Sequence, residues 1–169
     1  MRKFTGVMII LVLCLPFLGW MTTRVVQDVL FDRNIGGHLK RAADANTIEL
    51  AEKELAGVIA YLEQMGMTSG YTSIFWRTPD EDIGFWYQNL KASLGELHKV
   101  SKEATQLEKS NILIKLRETL VDHGQSLSVT VPQGASIFPS NMGYFWWSTA
   151  GIVIGIVGLI FGVGMILDD

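Results

Sequence analysis

YFWWSTAGIVIGIVGLIFGVGMIL, residues 144–167, decides the fold: it holds no charged side chain over a length that matches a bilayer. A helix rises about 1.5 Å per residue, so about 20 apolar residues cross the hydrocarbon layer. A second run of the same kind, FTGVMIILVLCLPFLGWM at 4–21, stands near the other end of the chain. Together they predict a membrane hairpin that carries one domain between its spans. The expected division is 1–21 (tail and first span), 22–143 (extramembrane helical domain) and 144–169 (second span and short acidic tail).

Of the 169 residues, 49% are hydrophobic, and the excess sits in these two runs. Arg2 and Lys3 balance Asp168 and Asp169, so the net charge of −3 is also that of the middle segment. A mildly acidic, well-mixed surface argues against nucleic acid, which is bound by clustered cations that displace counterions. It equally lacks the polybasic cluster of an anionic-lipid reader. Cys14 is the sole cysteine and lies inside the first run, so neither an internal disulfide nor a cysteine metal site can form.

Arg2 and Lys3 before an apolar core also describe a cleavable signal. Cleavage needs small residues after the core, and Leu18-Gly19-Trp20-Met21 offers bulky ones, so the first run is expected to stay as an anchor. A lipid-modified Cys14 is disfavoured by the bulk of Leu13. Arg2 and Lys3 should hold the N-terminus in the cytoplasm. The expected location is a bacterial inner membrane, with both termini cytoplasmic and the central domain extracytoplasmic. Trp20 closes the first run while Tyr144, Phe145, Trp146 and Trp147 open the second, which places one aromatic belt at one interface.

In the second run Gly151, Gly155, Gly158 and Gly162 are spaced 4, 3 and 4 apart, with Ser148 extending the row. At 100° per residue they fall within about 60° of one another. Small residues on one face let two backbones approach, which drives helix association in lipid. Ser148, Gly151, Gly155, Gly158 and Gly162 are therefore the candidate helix-association seam, a glycine zipper.

Between the spans the pattern is helical. Val25, Val26, Val29 and Leu30 can extend the first span as a stem, punctuated by Gly36-Gly37. From His38 to about Met65, the residues Ile48, Ala51, Leu55, Val58, Leu62 and Met65 alternate 3 and 4, a coiled-coil-like seam. Glu49, Glu52, Lys53, Glu54 and Glu63 lie off that seam. Thr78-Pro79-Asp80-Glu81 predicts a helix start, with Thr78 as cap and Glu81 completing a capping box. Trp86, Leu90, Ser93, Leu97, Val100, Ala104 and Leu107 continue that helix, and the phase fails at Ser110-Asn111. His123-Gly124 reads as a helix end. Leu127, Val129 and Val131 alternate with polar residues as an extended segment with no evident partner strand. The predicted fold class is all-α: two transmembrane helices flank an antiparallel helical bundle (a helical hairpin with one or two shorter helices), with one short extended segment before the second span.

Chemistry is hard to assemble from these residues. His38, His98 and His123 lack the spacing that puts two metal ligands on one helix face. Asp80, Glu81 and Asp82 are explained by a helix start without any acid–base role. No phosphate loop or nucleophile motif is present. No catalytic residue, metal or cofactor is expected. Tyr71, Phe75, Trp76, Phe85, Trp86 and Tyr87 are the candidate recognition surface: three consecutive aromatics cannot all enter one core, so either the loop folds over the bundle tip and buries them or some are left to meet a partner, a small molecule or lipid.

The layout of short tail, span, helical domain and second span is similar to the input half of bacterial chemoreceptors and sensor kinases, in arrangement and not in motif. That resemblance implies a stand-alone sensory or small-ligand module, and with two residues after the second span its output would need a partner. The leading expectation is a non-enzymatic integral membrane protein. Its extracytoplasmic domain would scaffold or bind a partner, as an accessory subunit or a self-associating assembly. The implied partners are the bilayer and another membrane protein or a second copy.

Overall fold

The computed structural model describes residues 2–100, 103–122 and 128–167. It is mainly helical and divides into two compact units, Met1–Asp28 with Ser140–Asp169, and Val29–Pro139. The divisions fall inside the stem and just before the second apolar run, so 22–28 and 140–143 go with the two long apolar helices.

The first unit pairs α1 (Arg2–Phe31), up to Asp28, with α6 (Asn141–Leu167). Both helices are long and apolar enough to cross a membrane. Pro16 lies inside α1. Facing positions run in opposite directions, from Gly162 beside Gly6, through Gly158 beside Leu13, to Gly151 beside Phe17. The two helices are therefore antiparallel.

In the second unit the helix does not stop at Gly36-Gly37. Asp32–Gly36 is a π-helical turn leading directly into α2 (Gly37–Ala43). The Gly37 N–H donates to the Asp32 carbonyl, the i to i−5 bond of that widened turn. A Cβ on Gly37 would lie 3.2 Å from the Asp32 carbonyl oxygen, so the glycine pair sits tightly inside the widened turn instead of ending the helix.

The single helix expected from His38 to Met65 is two. α2 ends at Ala43, and Thr47 caps α3 (Ile48–Gln64) by accepting from the Leu50 N–H at 3.3 Å. Ile48, Ala51, Leu55, Val58 and Leu62 are buried as the seam predicts, but Met65 stands outside the helix and is exposed. Glu54, off the seam, is nonetheless not solvent-facing. It is buried and holds His38 Nδ1 at 2.6 Å and Arg41 at 2.5 Å.

α4 (Ile83–His98) begins four residues after the expected start. Pro79–Glu81 forms one 3-10 turn, and Thr78 donates to the Glu81 carboxylate instead of capping. The cap is Asp82, whose carboxylate accepts from the Phe85 N–H at 2.9 Å. α4 also ends early, at His98. A capping box at Thr105 and Glu108 starts α5 (Gln106–Leu120), which runs unbroken through Ser110-Asn111. The failure of phase at Asn111 thus records a new helix with its own register, and Leu107 is exposed.

Val129 does have a partner. β1 (Val121–Asp122) pairs antiparallel with β2 (Ser128–Val129), Val121 opposite Val129. The Thr130 N–H donates to the Leu120 carbonyl at 2.9 Å, carrying the chain back along the end of α5. His123-Gly124 and Leu127 lie outside the described residues. The core joins Ile35, Leu39, Leu55, Val58, Leu62, Ile83, Leu90, Leu97 and Leu120, with α3 packed on α2, α4 and α5.

Candidate functional site

The glycine seam is divided by its surroundings. Gly151, Gly158 and Gly162 are buried, while Gly155 is half-buried. A Cβ at Gly158 would lie 2.7 Å from Leu13 Cβ, and one at Gly162 would lie 2.8 Å from the Gly6 carbonyl oxygen and closer still to Ile10. A Cβ at Gly155 would meet nothing within 4 Å. Gly151 sits against the Phe17 backbone, and half-buried Ser148 donates to the Phe145 carbonyl of its own helix. Three of the four glycines are spent on α1 of the same chain. Two indoles tie the same pair: Trp20 Nε1 donates to the Tyr144 carbonyl, and Trp147 Nε1 to the Pro16 carbonyl, both at 3.1 Å. Leu13, Ile10 and Gly6 are the partners that the sequence reading missed. Gly6, a small residue in the first run, was the available signal.

The aromatic set also splits. Trp86 and Tyr87 are buried, with Trp86 Nε1 donating to the Thr130 carbonyl at 2.9 Å and the Tyr87 hydroxyl to Glu63. Phe75, Trp76 and Phe85 are 63%, 81% and 64% exposed. Tyr71 is half-buried between them, with the Arg77 guanidinium 5.2 Å from its ring centre. The loop is fixed by backbone bonds, from Ile83 N–H to the Gly70 carbonyl (2.9 Å) and from Thr72 N–H to the Glu81 carbonyl (3.0 Å). Gly66 and Gly70 take positive φ (69° and 105°), which only glycine adopts at little cost. Met67 plugs the loop into the core. The hydroxyls of Thr72 and Ser73 are buried without a hydrogen-bond partner, a cost of about 1–3 kcal/mol for each such group.

Two shallow grooves flank Tyr71. One, of about 420 Å³, is lined by Tyr71, Ser73, Phe75 and Arg77. The other, of about 260 Å³, is lined by Tyr71, Thr78, Asp82 and Phe85. Their titratable groups serve structure. The Phe85 N–H holds the Asp82 carboxyl below its ordinary range, and the hydrogen bond to Asp82 raises the Tyr71 phenol. A third groove, between α4 and α5, is lined by Glu96 and Lys115, whose ammonium donates to both carboxylate oxygens of Glu96 at 2.8 and 2.9 Å. His38 engages Glu54, and His98 stands 3.1 Å from Glu52. Among the described residues, no group of His, Cys, Asp and Glu is arranged to hold a metal.

Three helix starts share one electrostatic device. Asp82 is held down by the Phe85 N–H, Glu108 by the Thr105 N–H and Glu49 by its own backbone N–H. A depressed folded-state pKa stabilises the fold above the unfolded value, about 4 for carboxylates, and that contribution is lost as pH falls through the folded value. Thermal melts of the detergent-solubilised chain should therefore shift down below about pH 4, and less so in Asp82→Ala. No known protein family, curated protein or solved structure matches this chain.

Proposed function

We propose that this chain is a non-enzymatic integral membrane protein that self-associates through α1 and holds a helical bundle outside the bilayer as the scaffold of that assembly. The observation that carries this reading is the bare apolar side of α1. Phe4, Met8, Leu11, Leu15, Leu18, Thr22, Val25 and Val29 alternate 4 and 3, and all of them are exposed. Lipid covers such a face within the membrane, but Val25 and Val29, each 61% exposed, lie beyond the belt residue Trp20. Apolar residues repeating at 4 and 3 form the seam of a parallel two-stranded coil, and continuity with the span makes a second copy the natural occupant. α6 offers less, since its buried glycines already face α1.

The test is cysteine cross-linking in membranes, in a Cys14→Ser background. Val25→Cys and Val29→Cys should each give a disulfide-linked dimer on mild oxidation, while Gln27→Cys, on the opposite side of the helix, should not. Monomer at all three positions, or equal dimer at all three, contradicts the reading.

A further inference from the structure

The loop that carries the exposed aromatics stands at the end of the helical domain from which the chain enters its second span. Two contacts within that domain fix this. The Asn34 amide donates to the Tyr61 hydroxyl (3.3 Å) and His38 meets Glu54, so α3 runs antiparallel to α2 and ends on the side of Val29, where the chain enters the domain. The Phe138 ring lies where a Cβ on Gly70 would sit 3.1 Å from it. Phe138 immediately precedes Pro139, the last residue of the domain, and α6 begins at Asn141. Gly70 therefore lies beside Phe138, next to the residue with which the chain leaves the domain.

A second, independent observation is the distribution of charge. No charged residue occurs from Gln64 to Trp76, a long interval for a solvated loop. None occurs from Gly124 through Leu167 either, an interval that includes Phe138. The two uncharged segments meet at Gly70 and Phe138. Trp76 and Phe75 project from this patch, and the first cation after it is Arg77. An amphipathic indole beside a phenyl ring, an uncharged surround and a flanking guanidinium are the chemistry that suits the headgroup region of a bilayer.

We propose that the loop 66–77 rests in the headgroup layer of the bilayer that holds the chain's own spans, with Trp76 as its principal anchor. This rests on the membrane reading above and goes beyond it. Trp76 and Phe75 are then covered by lipid, and the helical domain gains a third attachment to the membrane besides its two chain connections. The patch carries one arginine, so neutral phosphatidylcholine is sufficient and anionic lipid is not required.

The experiment compares the full chain with Trp76→Phe in phosphatidylcholine nanodiscs, with and without lipid brominated near the top of its acyl chains. The difference between the two proteins isolates Trp76, and the remaining tryptophans report whether the spans are in lipid. The proposal expects brominated lipid to remove about half or more of the Trp76 signal, while aqueous iodide leaves it largely intact. Quenching of Trp76 by iodide but not by brominated lipid overturns it, as does protection from both, which would mean a protein surface covers the loop. Absence of lipid quenching in Trp76→Phe as well would overturn the membrane reading together with it. A Trp76→Tyr variant, which keeps an interfacial ring, should match wild type in resisting release of the loop to protease, whereas Trp76→Asp should be cut faster between 66 and 77. Equal cutting of the two overturns the anchor role.

Discussion

Gly162→Leu opens the hairpin of α1 and α6. A Cβ at this position would stand 2.8 Å from the Gly6 carbonyl oxygen and against Ile10, and a backbone oxygen cannot step aside as a side-chain tip can. Overpacking a close contact costs about 1–3 kcal/mol, or about 5- to 150-fold in the paired population. In lipid the loss is not compensated by water-driven burial, because helix pairing there depends on packing and a few hydrogen bonds. The Trp147 and Trp20 indole bonds, which tie the same two helices, should loosen with it. Gly155→Leu is the matched control, since its Cβ would meet nothing within 4 Å. Unfolding of the purified chain in mixed micelles, followed by tryptophan fluorescence, should show the first variant opening at clearly lower denaturant and the second indistinguishable from wild type. Equal behaviour would mean that Gly162 is not at the helix contact.

Leu55→Ala should remove a large share of the stability of the helical domain. Leu55 is fully buried in the middle of α3, the helix that packs on α2, α4 and α5. Truncating such a leucine costs about 2–5 kcal/mol, the transfer term plus the cavity left behind. A domain of this size has about 5–15 kcal/mol in total, so the loss is a substantial share of it. Leu50→Ala on the same helix removes an exposed side chain and should stay within about 0.5 kcal/mol. Thermal denaturation by circular dichroism distinguishes them. The seam-residue account of α3 fails if the two variants melt together.

The parts of the fold that were legible in the sequence are those fixed by the solvent. Two long uncharged runs announce helices long and apolar enough to cross a membrane, since charge is expensive in lipid, and α3 declares its buried face through the 3–4 alternation of Ile48 to Leu62. The breaks were less legible because local hydrogen bonding sets them. Thr105 and Glu108 spell a capping box, but an apolar pattern at helical spacing runs past them, and Asp82 rather than Thr78 caps α4. The Gly36-Gly37 pair looked like punctuation, yet glycine also accommodates the widened turn over Asp32. Glu54 lies off the apolar seam, and its burial follows from His38 and Arg41 on the preceding helix, which no local pattern places beside it.

The candidate sites show the same division. Periodicity placed four glycines on one side of α6 but could not say which meet a neighbour, and Gly155 does not. Three consecutive aromatics could not all be buried, and the structure sends Trp86 and Tyr87 inward and Phe85 outward. The choice follows from the helix phase set by the Asp82 cap, which no composition argument provides.

The claim on which the rest depends is that both spans cross the bilayer antiparallel and present residues 29–139 on one side of it. Labelling with a membrane-impermeant maleimide tests it most directly, using intact cells that express the chain with Cys14→Ser and one added cysteine. Gly57→Cys sits at an exposed position of α3 where a side chain meets nothing within 4 Å, and it should label without permeabilisation. Lys3→Cys and Asp169→Cys should both label only after permeabilisation. A chain whose two ends label under different conditions, or one in which position 57 labels together with either end, would contradict the hairpin.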